Sequence, residues 1–201
     1  MITKLVVFTL LASTSLSAAS LNMGSFDVVR TQGMNHDAAR RMLANLQSSD
    51  PFVRVSAVQE LGELGDSETI PALICALKDE NPYVRAYAAE ALAKLHNSRA
   101  VQPLIEAVND KDLFVRMHVV EAMGELSDPR AVAPLLALIR GEDDAIKPYA
   151  VWALGEIEDS DMIRPLIEAL KDEACCVQAA DALQKITKQD LKEDKFVKYT
   201  F

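Results

Sequence analysis

A fifteen-residue motif returns along this chain at a fixed interval, and that interval excludes most folds at once. It begins at Asp50 (DPFVRVSAVQELGEL), Asn81 (NPYVRAYAAEALAKL), Asp112 (DLFVRMHVVEAMGEL) and Asp143 (DDAIKPYAVWALGEI), 31 residues apart, and again at Asp172 (DEACCVQAADALQKI) after 29. Self-similarity on this scale marks an array of supersecondary units, none of which can bury its apolar face alone. Neighbouring units must therefore stack and share one continuous core.

Each unit carries two helical patterns. The motif opens on a residue whose short polar side chain can accept from the free N–H groups of a first helical turn: Asp50, Asn81, Asp112, Asp143 and Asp172. Pro51 and Pro82 follow where proline is tolerated. Val53, Ala57, Leu61 and Leu64 then form a single apolar stripe, and Gly65 ends the helix. The second pattern reads AVQPLIEAV from Ala100, AVAPLLALI from Ala131 and MIRPLIEAL from Met162, with Pro103, Pro134 and Pro165 in the first turn, where a missing N–H costs nothing. Asp37 to Gln47 has a helical spacing of its own and reads as a half-unit capping the array. The expected fold is an all-α solenoid of about five two-helix modules over residues 37–187.

The pattern D-x-x-V-R-x-x-A-A-x-A-L-G followed by A-V-x-P-L-I-x-A-L-x-D resembles the HEAT-like repeat of the bilin (phycocyanobilin) lyase group, over about 150 of the 201 residues. The resemblance implies a right-handed solenoid in which the proline-bearing helices face outward and the V–R helices line a concave face. It also implies a charged ladder of Arg54, Arg85, Arg116 and Lys147 with Asp50, Asp112 and Asp143 and the loop residues Asp66, Asp128 and Asp159. Asn81 and Asn97 replace Asp in the second module, where the ladder is expected to weaken. Cys175 and Cys176 stand where Val and Arg are expected, as in a terminal module relieved of a neighbour.

With the V, A, A and L positions given to the core, the remaining positions of the V–R helices face the hollow. Every aromatic residue of the array falls on them: Phe52, Tyr83, Tyr87, Phe114, Tyr149 and Trp152. Rings usually go where burial is greatest, so small aliphatics inside and rings outside is a binding-site composition. Tyr83, Tyr87, Phe114, Met117, His118, Tyr149 and Trp152 are the expected partner contacts, with Glu90, Glu121, Glu125 and Glu156 along one edge. The competing reading is that the rings cover seams between helices, which fits Phe52, Tyr83 and Phe114 best and Tyr87 and Trp152 least.

Other chemistry is thin. With 21 basic against 30 acidic residues and no basic cluster, nucleic acid is disfavoured as a partner. His36, His96 and His118 do not converge, and His118 with Glu121 one turn later is two ligands without a third. The paired His-Glu dipeptides of a di-iron hydroxylase group built from similar repeats do not occur here. No phosphate loop and no nucleophile with a base at recognisable spacing is present. No catalytic, cofactor or metal site is therefore assigned.

Residues 1–19 combine Lys4, an apolar run and the small residues Ser17, Ala18 and Ala19, the form of a secretory signal peptide, so the chain is expected to be exported, periplasmic or secreted, with no stable membrane insertion after cleavage. Bilin attachment, an intracellular activity in the resembling group, fits that address poorly. Residues 20–36 read as a tether, and 188–201 as a tail ending in a strand-like alternation of Val197, Tyr199 and Phe201. Cys75, Cys175 and Cys176 are an odd set for an oxidising compartment; a vicinal ring, an intermolecular bridge and buried thiols all stay open. The reading that follows is a non-catalytic scaffold binding a protein or peptide segment, with a chromophore-handling lyase or chaperone and a purely structural subunit as alternatives.

Overall fold

The computed structural model describes residues 37–192, with side chains through residue 188. The signal peptide, the tether and the alternating end of the tail lie outside the described residues. Packing divides the chain into residues 1–38 and 39–201, and the repeat array belongs to the second unit.

All regular structure among the described residues is helical. Helix α1 covers residues 37–45. The V–R helices are α2 (Pro51–Leu64), α4 (Pro82–Lys94), α6 (Leu113–Leu126), α8 (Lys147–Ile157) and α10 (Cys176–Lys192). Between them lie the shorter proline-bearing helices α3 (Ile70–Ala76), α5 (Val101–Ala107), α7 (Val132–Arg140) and α9 (Ile163–Ala169), each entered through a 3-10 turn. Helix α10 continues five residues past the expected end of the array at 187.

The capping residues act as their chemistry dictates. Asp50, Asn81 and Asp112 accept at 2.9 Å from the N–H of Phe52, Tyr83 and Phe114. In the last two modules the same bond is present, from Ala145 to Asp143 and from Ala174 to Asp172, but it closes a turn, and the helix starts at Lys147 or Cys176. Gly65 ends α2 at φ +71°, the left-handed conformation glycine adopts without steric cost. Its repeat equivalents are His96, Ser127 and Glu158, at φ between 45° and 55°. The turn geometry is inherited although the glycine is not.

Successive V–R helices pack directly on one another, and each proline-bearing helix packs on the V–R helix that follows it. The proline-bearing helices barely touch each other, so the V–R row is the tighter layer. Small residues set that spacing. A Cβ on Gly62 would lie 2.8 Å from the Ala91 Cβ, and one on Gly155 2.8 Å from the Ala182 Cβ, so α2 meets α4 and α8 meets α10 nearly backbone to backbone. The core between the rows is aliphatic, with Leu61, Leu73, Leu92, Leu104, Met123, Leu135, Leu154, Leu166 and Ile186 fully buried and no aromatic side chain among the buried residues.

Candidate functional site

Turning small residues inward leaves the V–R row with an outer face that carries the rings. Phe52 is 80% exposed, Tyr83 56% and Trp152 37%, whereas Tyr87, Phe114, Met117 and Tyr149 are half-buried against the core. The seam reading is thus corrected in its details. Of the three residues expected to cover seams, Phe52 stands free, Tyr83 is more than half exposed with its ring against Phe114, and Phe114 is half-buried. Tyr87, expected to project, fills the seam between α4 and α6. Ala86, also expected on the open face, is fully buried.

The α4–α6 seam holds one aromatic cluster. The rings of Tyr83 and Tyr87 lie 5.4 and 6.3 Å from that of Phe114, both edge-to-face, and His118 lies 4.3 Å from Phe114 and 6.0 Å from Tyr87. Such pairs add about 0.5–1.5 kcal/mol each beyond the area they bury, so this cluster stiffens the seam. His118 Nδ1 lies 2.9 Å from the Phe114 carbonyl oxygen. A carbonyl can only accept, so Nδ1 is the donor of this bond.

Beyond the cluster lies a groove of about 690 Å³ lined by Glu121 and Glu125 of α6, Pro148, Tyr149 and Trp152 of α8, and Gln178 of α10. A smaller recess of about 180 Å³ lies between α4 and α6, lined by Glu90, Ala93, Lys94, His118, Glu121, Ala122 and Glu125. Glu121 and Glu125 wall both, which makes one continuous surface. Trp152 reaches the groove because Gly124 has no side chain: a Cβ there would stand 2.9 Å from Trp152 Cζ3. The indole therefore lies against the α6 backbone.

The acidic edge is not uniform. Glu90 pairs with Lys94 at 2.8 Å, which raises the Lys94 ammonium above its usual value through the hydrogen bond to Glu90, with burial opposing it. Glu156 pairs with Lys185, which also reaches Glu158 at 3.5 Å. Glu121 and Glu125 make no ion pair among the described residues.

The charged ladder is present with different acids. Arg54 donates two bonds of 2.8 Å to Asp79, and Arg85 two of 2.8 Å to Asp110. Arg116 makes one bond of 2.7 Å to Asp143, and Lys147 bonds Asp144 at 2.7 Å and Asp172 at 3.0 Å. Each arginine also donates to carbonyls of its own entry loop: Arg54 to Ser48, Arg85 to Asp79, Arg116 to Asp110. Each therefore staples two successive loops.

Asp50 and Asp112 are not rungs but helix caps, and Asp66, Asp128 and Asp159 cap the 3-10 turns at the other end of the module. At Asp50 and Asp112 the carboxylate turns back to the N–H of Phe52 and Phe114, and Arg54 and Arg85 are met instead by Asp79 and Asp110, two residues before the next cap. Since Asn81 is likewise a cap, its substitution does not weaken the second module, whose Arg85–Asp110 rung is the most buried of all. Asp79, Asp110 and Asp172 were legible as the final Asp of the second helical pattern, recurring in the 31-residue register.

Burial would raise the carboxyls of Asp79 and Asp110, but the guanidinium of Arg54 or Arg85 and a backbone N–H two residues on outweigh it, and both lie below the usual range. At the end of the ladder Cys175 is buried and its thiol raised by that burial, Cys176 is half-buried, and Cys75 is exposed; all three are free. Among the described residues no three His, Cys, Asp or Glu side chains are grouped to hold a metal ion, and no helix is long and apolar enough to cross a membrane.

Two repeat families match the chain: the PBS lyase HEAT-like repeat over residues 53–79 and 149–172, and HEAT repeats over residues 70–147. A chain from the structure of the complex of CpcE and CpcF of phycocyanin lyase from Nostoc sp. PCC7120 is 30% identical, with a TM-score of 0.65 over 80% of this chain and 69% of that one. The chain belongs to the PBS lyase HEAT-like repeat family. Its repeat thus has a solved counterpart within a two-protein assembly. An engineered protein is 19% identical, with a TM-score of 0.49 over 82% of this chain and 90% of that one. A search of the curated proteins found no match.

Proposed function

We propose that this PBS lyase HEAT-like repeat protein is an exported, non-catalytic scaffold that holds a segment of a protein partner along the face of its V–R row. The observation that carries the reading is the placement of Trp152, Tyr149 and the unpaired Glu121 and Glu125 around one open groove, continuous with the Tyr83–Tyr87–Phe114–His118 cluster. Groove-lining aromatics beside a polar rim are the composition of interface hot spots. The related chain comes from a complex, which agrees with a family used for protein association. Pull-down with the full chain, compared with a Tyr87→Ala, Trp152→Ala version, tests it. Partners lost from the double variant while its helical circular dichroism is retained would support the proposal; equal capture by both would sink it. Export adds one check: the mature chain should begin at Ser20 by intact mass.

The 30% identity to a phycocyanin lyase chain favours one second reading, in which the same groove handles a chromophore. Visible absorbance retained by the protein after incubation with a bilin and gel filtration would favour it. Loss of that absorbance on the column would remove it.

A further inference from the structure

We infer that the groove between α6 and α8 takes a cationic side chain, arginine or lysine, from a peptide segment of the partner. The inference rests on the scaffold reading above and narrows it to a ligand chemistry. Three observations converge. Glu121 and Glu125 sit one turn apart on α6 and both line the groove; neither is in direct contact with a lysine or arginine, Lys94 acting on Glu125 only from a distance, although Lys94 and Lys185 pair directly with Glu90 and Glu156 at either end of the same face. Trp152 faces them from α8 with over a third of its surface open, held against the backbone at Gly124. The open groove of about 690 Å³ has room to admit a side chain together with part of the segment that carries it.

A guanidinium or ammonium entering there lies within reach of an indole face and two carboxylates. The indole quadrupole and the carboxylates attract the same sign of charge, so cation–π and ionic terms reinforce each other. Arginine fits better than lysine, because its planar fork can lie on the indole and still donate in plane to a carboxylate. An acidic segment would bring like charges together, and an aliphatic one would desolvate Glu121 and Glu125 with nothing in return.

Trp152 is the single tryptophan of the chain, so its emission reports this groove alone. The experiment titrates the full chain with an acetylated, amidated Ala-Arg-Ala-Arg-Ala peptide and with its Lys and Glu counterparts. With a net charge of -9 the whole protein attracts cations, so Glu121→Gln, Glu125→Gln is compared with Glu60→Gln, Glu68→Gln, which removes equal charge from exposed sites on the first module. The expected result is a saturable change in emission with the Arg peptide, weaker with Lys and absent with Glu. The groove variant should weaken it about tenfold or more, because it removes the charged hydrogen-bond acceptors the cation would meet, and the control variant about twofold or less, because it changes only the overall charge. Equal weakening by both variants, or equal binding of the Glu peptide, would overturn the inference. If a captured partner depends on Trp152 but not on Glu121 and Glu125, the scaffold reading stands and the cationic one fails.

Discussion

The two ends of the array use the same repeat differently. In the first two modules each rung is a bidentate arginine–aspartate pair with both side chains at 15% exposure or less. In the third, Arg116 makes one bond to an Asp143 that is 43% exposed, and in the fourth a lysine replaces the arginine. The cause is one position. The aspartate that recurs at 79, 110 and 172 is Gly141 in the third module, so Asp143, which belongs to the cap register, serves both roles. The groove and the unpaired glutamates lie on the loosely stapled side, whereas the Glu90 end of the face neutralises itself. Stiffness and free chemistry are thus carried by different modules of one motif.

The largest test of that contrast is Asp110→Ala against Asp143→Ala. Removing Asp110 strands a nearly buried guanidinium and should cost about 3–5 kcal/mol, whereas the exposed Asp143 should cost about 1 kcal/mol or less, read from urea midpoints. Equal losses would erase the distinction. Gly62→Ala forces α2 and α4 apart and should cost about 1–3 kcal/mol by the same measurement. A neutral result would mean that the close helix approach does not set the spacing of the row.

Acid should act on the first two rungs next. The carboxyls of Asp79 and Asp110 are lower in the folded chain than unfolded, so their stabilisation is complete above the unfolded value of about 3.9 and is lost as pH falls through the lowered folded values. The urea midpoint should drop in that window, and Asp110→Asn should flatten the drop. A profile unchanged by Asp110→Asn would place the acid sensitivity elsewhere. The smallest expected effect is a gain: His96→Gly relieves a left-handed backbone at φ 45°, worth about 1–2 kcal/mol, against about 0.4–1 kcal/mol lost to the freer unfolded chain, and should add about 1 kcal/mol or less. Destabilisation instead would show that the exposed His96 side chain makes a contact that matters.

Much of this was readable in advance where one residue answers to its own backbone. Asp50, Asn81 and Asp112 as caps, Gly65 as a stop and the leucine stripe are local consequences of spacing. The rungs were misassigned because a cap aspartate and a rung aspartate share charge and period; only the loop path shows which one faces the arginine. The open position of Phe52 and the seam position of Tyr87 also resisted reading. A helical wheel assigns a face but not how closely the next helix approaches.

By itself the sequence determined the number of modules, their helical pairs, the aliphatic core and the placing of every ring outside it, because a 31-residue period and a 3.6-residue stripe are one-dimensional facts. The tertiary structure alone decided which acid meets which base and which glutamates stay unpaired. It also decided that Trp152 lies against Gly124 beside Glu121 and Glu125. Those pairings join residues 25 or more positions apart, and their geometry depends on the angle at which one module stacks on the next.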